Sequence, residues 1–162
     1  MLTNIRKPEP QDLNYILDID LKCFEDNWSY SEWRTTLADS HYGVLLGTCE
    51  GVPVGFIVWF NDGKDSLIVR LGVKKDYRNR NVGSQLLQAV EVITHQQGLE
   101  ALQITVTESL CCPNTKTDVS SWLIKRGYHA SGLVKEAGIF FGQKEDEITF
   151  CKYLEGAIKH GC

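Results

Sequence analysis

Apolar positions first recur at helical spacing and then fall into unbroken runs, and this change of period lays out the chain. Leu2 to Arg6 predicts a first strand. Pro8-Glu9-Pro10 stops it and opens a helix carrying Leu13, Ile16, Leu17, Ile19 and Leu21, up to Phe24. Ser29-Tyr30-Ser31-Glu32 has the Ser-x-x-Glu capping-box pattern, and Trp33 and Leu37 lie four apart behind it on one face of a second, short helix. From Tyr42 the pattern becomes Tyr42 to Cys49, Val52 to Phe60 and Ser66 to Val73, broken by Glu50-Gly51 and Asn61-Asp62-Gly63, which reads as three antiparallel strands. Asn81 or Val82 to Gln97 is the clearest helix, with Leu86, Leu87, Val90 and Ile93 on one face and Gly98 as its stop. Ala101 to Val106 alternates as a strand, and Ser109 to Lys116 reads as a loop. Thr117 or Asp118 caps a short helix through Trp122 to Arg126, ended by Gly127. Tyr128 to Val134 and Ile148 to Leu154 close the chain as two strands around a polar stretch, Gly142 to Glu147. The order βααβββαβαββ predicts an α+β domain built on a mixed sheet.

The 162 residues suit one domain spanning 1–162, with no linker, repeat or low-complexity tract. Seventeen Lys and Arg against twenty-one Asp and Glu give a formal charge of −4, which argues against a dedicated nucleic-acid binder. The longest apolar stretch, Val52 to Phe60, is too short to span a bilayer, and no signal-peptide pattern opens the chain, so a soluble cytoplasmic protein is expected. The six cysteines form no CxxC pair and have no His at zinc-finger spacing, so reduced thiols and no metal are expected.

The informative segment runs from Leu67 to Leu87: a strand, a turn, and then the long helix. Free backbone N–H groups and the dipole at a helix start attract phosphate, and a small residue such as Gly83 lets a ligand approach the backbone. Lys74, Lys75, Arg78 and Arg80 gather beside that start, and no carboxylate lies between Asn81 and Val90. The absence of a Gly-Lys-Ser/Thr sequence and of a glycine triplet excludes a P-loop and a dinucleotide fingerprint.

Arg78-Asn79-Arg80-Asn81-Val82-Gly83, preceded by Leu71-Gly72-Val73 and Asp76-Tyr77 and followed by Ser84-Gln85-Leu86-Leu87, resembles the acetyl-CoA-binding signature of the GNAT acyltransferase superfamily, Gln/Arg-x-x-Gly-x-Gly/Ala. The resemblance extends over most of the chain and implies a GNAT-like sheet, mostly antiparallel and flanked by helices. It implies acetyl-CoA as cosubstrate and acetyl transfer, by direct attack, to a primary amine: a protein N-terminus, a Lys or a small molecule. The backbone of Leu71, Gly72 and Val73 would pair with the pantetheine arm like an added strand, and the backbone of Arg78, Asn79, Arg80, Asn81, Val82, Gly83 and Ser84 would hold the pyrophosphate. Lys74, Lys75, Arg78 or Arg80 would reach the 3′-phosphate. Asn81 stands where the family usually has its first glycine, and Asn tolerates left-handed backbone angles better than most residues.

Asn27-Trp28-Ser29 before a helix is also similar to the substrate-side helix of bacterial ribosomal-protein N-terminal alanine acetyltransferases. Those enzymes use a Glu on the fifth strand as base, an Asn after it, and a Tyr on the next helix as acid. By register this chain has Thr105, Leu110 and Leu123 there. Glu108 is the nearest carboxylate beyond that strand and is the candidate base, acting through water, while Asn114 is a candidate for the missing amide. Trp28, Trp33 and Trp122 read as groove or core residues. Asp18, Asp20, Glu25 and Asp26 read either as a solvated face or as an attraction for a cationic amine. The departures leave a second reading, a GNAT-fold module that binds acyl-CoA without turnover. Exposed strand edges in such a fold suit a homodimer.

Overall fold

The computed structural model describes residues 3–107, 118–140 and 143–154. Its elements follow the expected order: β1 (Asn4–Arg6), α1 (Leu13–Cys23), α2 (Tyr30–Ala38), β2 (Tyr42–Cys49), β3 (Val52–Asp62), β4 (Asp65–Val73), α3 (Val82–Gln96), β5 (Ala101–Thr107), α4 (Val119–Lys125), β6 (His129–Phe140) and β7 (Gln143–Tyr153). They form one seven-stranded sheet in the order β1-β2-β3-β4-β5-β7-β6. Every neighbouring pair is antiparallel except β4 and β5, which α3 connects as a crossover.

Both faces of the sheet are covered, which explains why β2 and β3 read as continuous apolar runs rather than alternating ones. On one face α1 and α2 bury Leu13, Ile16, Ile19 and Trp33 against Val44, Leu46, Phe56 and Val58. On the other, Val82, Leu86, Leu87 and Val90 of α3 and Leu123 of α4 pack on Leu45, Val54, Ile57, Leu102 and Ile104. The capping box at α2 is complete: Glu32 N–H donates to Ser29 Oγ (3.1 Å) and Ser29 N–H to the Glu32 carboxylate (3.0 Å).

Two facing glycines set the height of the α3 N-terminus over the sheet. Gly47 pairs with Gly55 across β2 and β3, and a Cβ on either would come within 3.2–3.3 Å of Val82 Cγ1, the first residue of α3. The missing side chains let the helix start sit close to the strands.

The closing hairpin is longer than expected. β7 begins at Gln143, so most of the polar stretch 142–147 is strand, with Phe140 opposite Gln143 and two register shifts along β6. Such an arm is held by backbone pairing, and its polar sequence carries no alternation to mark it.

Candidate functional site

β4 and β5 begin as a paired unit and then part. Their register runs only from Asp65↔Ala101 to Ile68↔Ile104, although β4 continues to Val73 and β5 to Thr107. The cause lies in β4: Val58 of β3 pairs with Arg70, and the next residue, Trp59, pairs with Ile68, so Val69 is an extra residue that bends the strand. Lys74 N–H donates to the Val54 carbonyl at 2.8 Å, and by ladder alternation Leu71 and Val73 turn their own N–H and C=O groups away from β3 into the gap. The expected stretch Leu71, Gly72 and Val73 therefore presents an edge at which both groups of Leu71 and the N–H of Val73 face the gap, while Gly72 bonds β3 and the Val73 carbonyl is taken by Arg78.

That edge leads into the loop 74–81 and the start of α3. Asn79 (φ 59°) and Asn81 (φ 65°) both take left-handed backbone angles, so Asn81 adopts the conformation for which a glycine is usual. Asn81 is the α3 N-cap without a side-chain cap bond, and the first turn carries no acidic residue. The N–H groups at this start have no partner within the helix. A Cβ on Gly83 would meet only the Trp122 ring at 3.8 Å and Val73 Cγ2 at 3.9 Å, ordinary contacts. The protein's own packing thus does not demand glycine here, and the small residue leaves the helix start open to a ligand.

The basic residues of the loop divide. Arg78 folds back, with Nε donating to the Val73 carbonyl at 2.8 Å and Nη2 lying 3.6 Å from Cys23 Sγ, so it braces the strand end. Lys75 and Arg80 are exposed beside the helix start, and Lys74 is half-buried. On the far side of the first turn, Trp122 Nε1 donates to Ser84 Oγ at 3.0 Å, and Arg126 donates to the same oxygen.

On the α1–α2 face of the sheet, next to the gap, the Thr105 hydroxyl is exposed and meets Thr149 Oγ1 at 2.9 Å. Leu123 is fully buried in the core. Neither the Glu nor the Tyr position of the resembled enzymes therefore offers a titrating group. Tyr128 is buried, donates to the Glu91 carboxylate at 2.9 Å, and has its pKa pushed far above the ordinary tyrosine value by burial and then by that carboxylate, so it is no proton donor near neutrality. Glu108, Leu110, Cys111, Cys112 and Asn114 lie outside the described residues.

The acidic positions of the first helix are not a free patch. Asp18 pairs with Lys22 at 2.9 Å. Asp20 is fully buried and accepts from Arg70 Nε (3.0 Å) and Nη2 (2.5 Å), from Trp28 N–H (2.7 Å) and from the Trp33 indole (2.9 Å). Glu25 and Asp26 remain exposed. Trp33 is core, Trp28 leans on it with ring centroids 4.8 Å apart, and Trp122 borders the α3 start. Arg70 and Arg126 escaped the sequence reading. An arginine inside the apolar strand Leu67 to Val73 was a visible signal for a buried partner, whereas nothing local marked Arg126.

Cys23 and Cys49 are outside any disulfide, but Cys151 is disulfide-bonded, which corrects the expectation of reduced cysteines throughout, because spacing in the sequence does not show which thiols a fold brings together. Among the described residues no cluster of His, Cys, Asp and Glu is arranged to hold a metal. No described helix is long and apolar enough to cross a membrane. A groove of about 940 Å³, lined by Tyr42, Trp59, Ile93 and Gln97, lies toward the other end of α3, away from the gap and the basic loop.

A bulged strand, a parted parallel pair and an open basic helix start, on a seven-stranded sheet covered on both faces, define an acyltransferase domain. The chain belongs to the acetyltransferase (GNAT) family, whose model matches residues 13–110. Its fold is similar to the ribosomal-protein-S18-alanine N-acetyltransferase from Escherichia coli, at TM-score 0.83 and 16% identity over 98% of this chain and 97% of that one. It is also similar to Arabidopsis thaliana NAA60 in complex with acetyl-CoA (TM-score 0.80, 14% identity, 96% and 100% covered). A third likeness is to the PaiA N-acetyltransferase from Thermoplasma acidophilum in complex with coenzyme A (0.72, 16%, 94% and 99%). No curated protein sequence matches.

Proposed function

We propose that this chain, as one domain, transfers the acetyl group of acetyl-CoA to a primary amine. The observation that carries the reading is the β4–β5 gap ending at the open start of α3, which fits the cosubstrate in two places. The edge groups of Leu71 and the N–H of Val73, whose carbonyl is taken by Arg78, suit the amides of a pantetheine arm, and the N–H groups of the loop and first turn from Asn79 to Ser84 suit a diphosphate, that of Arg78 being bonded to the Lys75 carbonyl at 3.3 Å. Family membership and the acetyl-CoA and CoA complexes among the similar structures support the same ligand.

In the reaction the neutral amine attacks the thioester carbonyl, the amide bond forms, the C–S bond breaks, and the thiolate of CoA takes up a proton. A backbone N–H at the bulged edge, that of Leu71, which faces the gap, would donate to the developing oxyanion. Thr105 and Leu123 supply no base or acid, so proton removal falls to water relayed to Glu108, or to an amine that arrives already neutral.

The acceptor class is read as a peptide N-terminus before a small-molecule amine. Support comes from the Asn27-Trp28-Ser29 segment, whose Trp28 N–H is bonded to the buried Asp20 carboxylate, and from the similar structure named a ribosomal-protein-S18-alanine N-acetyltransferase. Glu25, exposed just before that segment, favours a cationic acceptor, whereas the Asp26 carboxylate lies 3.6 Å from the Arg70 guanidinium. The test is release of CoA thiol on a panel of short peptides with different first residues, set beside polyamines. Turnover on peptides alone supports the reading. Turnover on polyamines alone moves the acceptor to small molecules, and tight CoA binding with no turnover on any amine makes the chain an acyl-CoA-binding module.

A further inference from the structure

We infer that Arg126, together with the Ser84 hydroxyl, forms part of the phosphate-binding end of the site and contacts the pyrophosphate of the cosubstrate; this rests on the acetyl-CoA reading above. Arg126 directly follows the last residue of α4 and lies outside the loop on which the resemblance places the phosphates. Its guanidinium lies over the Trp122 ring, 4.8 Å from the centroid, and Nη1 donates to the Trp122 carbonyl at 3.1 Å while Nη2 donates to Ser84 Oγ. Among the described residues no carboxylate lies within ion-pair distance of it, in a chain with twenty-one acidic residues.

Two features of this cluster ask for an anion. A cation fixed at the first turn of a fifteen-residue helix sits at the positive end of the helix dipole, an unfavourable placement that a bound anion reverses. Ser84 carries the second feature: its oxygen accepts from both the Trp122 indole and Arg126, which uses both lone pairs, and its own proton has no acceptor among the described residues. An unassigned hydroxyl donor and a half-buried guanidinium with further N–H groups thus flank Gly83, whose missing side chain leaves the approach open. Arginine suits this role because its fork can hold Ser84 with one N–H and bridge phosphate oxygens with others.

The pyrophosphate is the favoured partner over the 3′-phosphate because the cluster is built onto the second and third residues of the helix, where the N–H groups converge. Calorimetric Kd values for CoA and for dephospho-CoA, which lacks only the 3′-phosphate, would be measured for the wild type, Arg126→Ala, Arg126→Lys and Ser84→Ala, with thermal midpoints to confirm folding. Arg126→Ala is expected to weaken both ligands alike, by roughly tenfold to a hundredfold, and to flatten the salt dependence. Arg126→Lys should fall between, and Ser84→Ala should lose less. A folded Arg126→Ala that binds CoA as tightly as the wild type overturns the inference. Weakening confined to CoA, with dephospho-CoA unchanged, overturns the pyrophosphate assignment. Failure of the wild type to bind either ligand overturns the acetyl-CoA reading itself and is visible before any variant is made.

Discussion

Arg70 of β4 and Asp20 of α1, fifty positions apart, form an ion pair closed off from water: Nη2 lies 2.5 Å from Oδ1, and the two residues are 6% and 0% exposed. The guanidinium is stacked between Phe24 and Trp28, 4.2 and 4.7 Å from their ring centroids, and also reaches the Asp26 carbonyl at 3.2 Å. The segment from Phe24 to Trp28 is thereby fastened to the strand that precedes the open edge Leu71–Val73. One buried ion pair and its stacked rings thus join α1, the segment after it and β4.

Breaking this pair from one side leaves a buried charge without a counterion, so Arg70→Met is expected to cost about 3–5 kcal/mol in denaturant unfolding. The double variant Asp20→Leu with Arg70→Met should recover part of that loss, because an apolar pair of similar volume avoids the desolvation of two ions. A single-variant cost below about 1 kcal/mol would show that the pair does not hold the segment.

Gly83 separates stability from binding. Gly83→Ala introduces only ordinary contacts and removes backbone freedom from the unfolded chain, so it should leave stability unchanged or raise it by about 0.5–1 kcal/mol while weakening acetyl-CoA. Gly83→Glu should keep the fold and remove measurable binding, through bulk and negative charge at the helix start. Unchanged affinity in both variants would move the phosphates elsewhere.

Acid stability should depend on Asp12. Its carboxyl lies below the ordinary value of 3.8, chiefly through the hydrogen bonds from Arg6 (2.7 and 2.9 Å), with a further bond from Glu9 N–H, against the opposing effect of burial. A depressed folded-state pKa contributes stability that is full above the unfolded value and is lost as pH falls through the folded one. Thermal midpoints of the wild type should therefore drop more steeply than those of Asp12→Asn as pH falls through and below the ordinary carboxylate range. Parallel curves would remove Asp12 from the acid transition.

For proton removal, Glu108→Gln should lower kcat about 10²-fold or more while the Kd for acetyl-CoA stays put. A variant with wild-type turnover on the best acceptor of the panel would leave the neutral amine as its own base.

Much of this architecture is written locally. Leu86, Leu87 and Val90 announce α3 by spacing, Ser29 and Glu32 announce α2 by their reciprocal cap, and Asn81 could be expected at left-handed angles because its side chain tolerates them. What the sequence did not reveal arises between distant segments. The bulge at Val69 that parts β4 from β5 is a mismatch between two strands and has no signature in either. Arg126 meets Ser84 forty-two positions away, and Asp20 looked like a surface acid until the fold set it against Arg70. The strand character of Gln143 to Glu147 was hidden because a polar hairpin arm has no apolar alternation to display.

Calorimetric titration of the purified protein with acetyl-CoA, CoA, ATP and NAD asks whether the β4–β5 gap and the α3 start take acetyl-CoA. Acetyl-CoA and CoA should bind saturably and more weakly to Gly83→Glu, with no comparable binding of ATP or NAD. Absence of acetyl-CoA binding, or equal binding of all four, would contradict that placement.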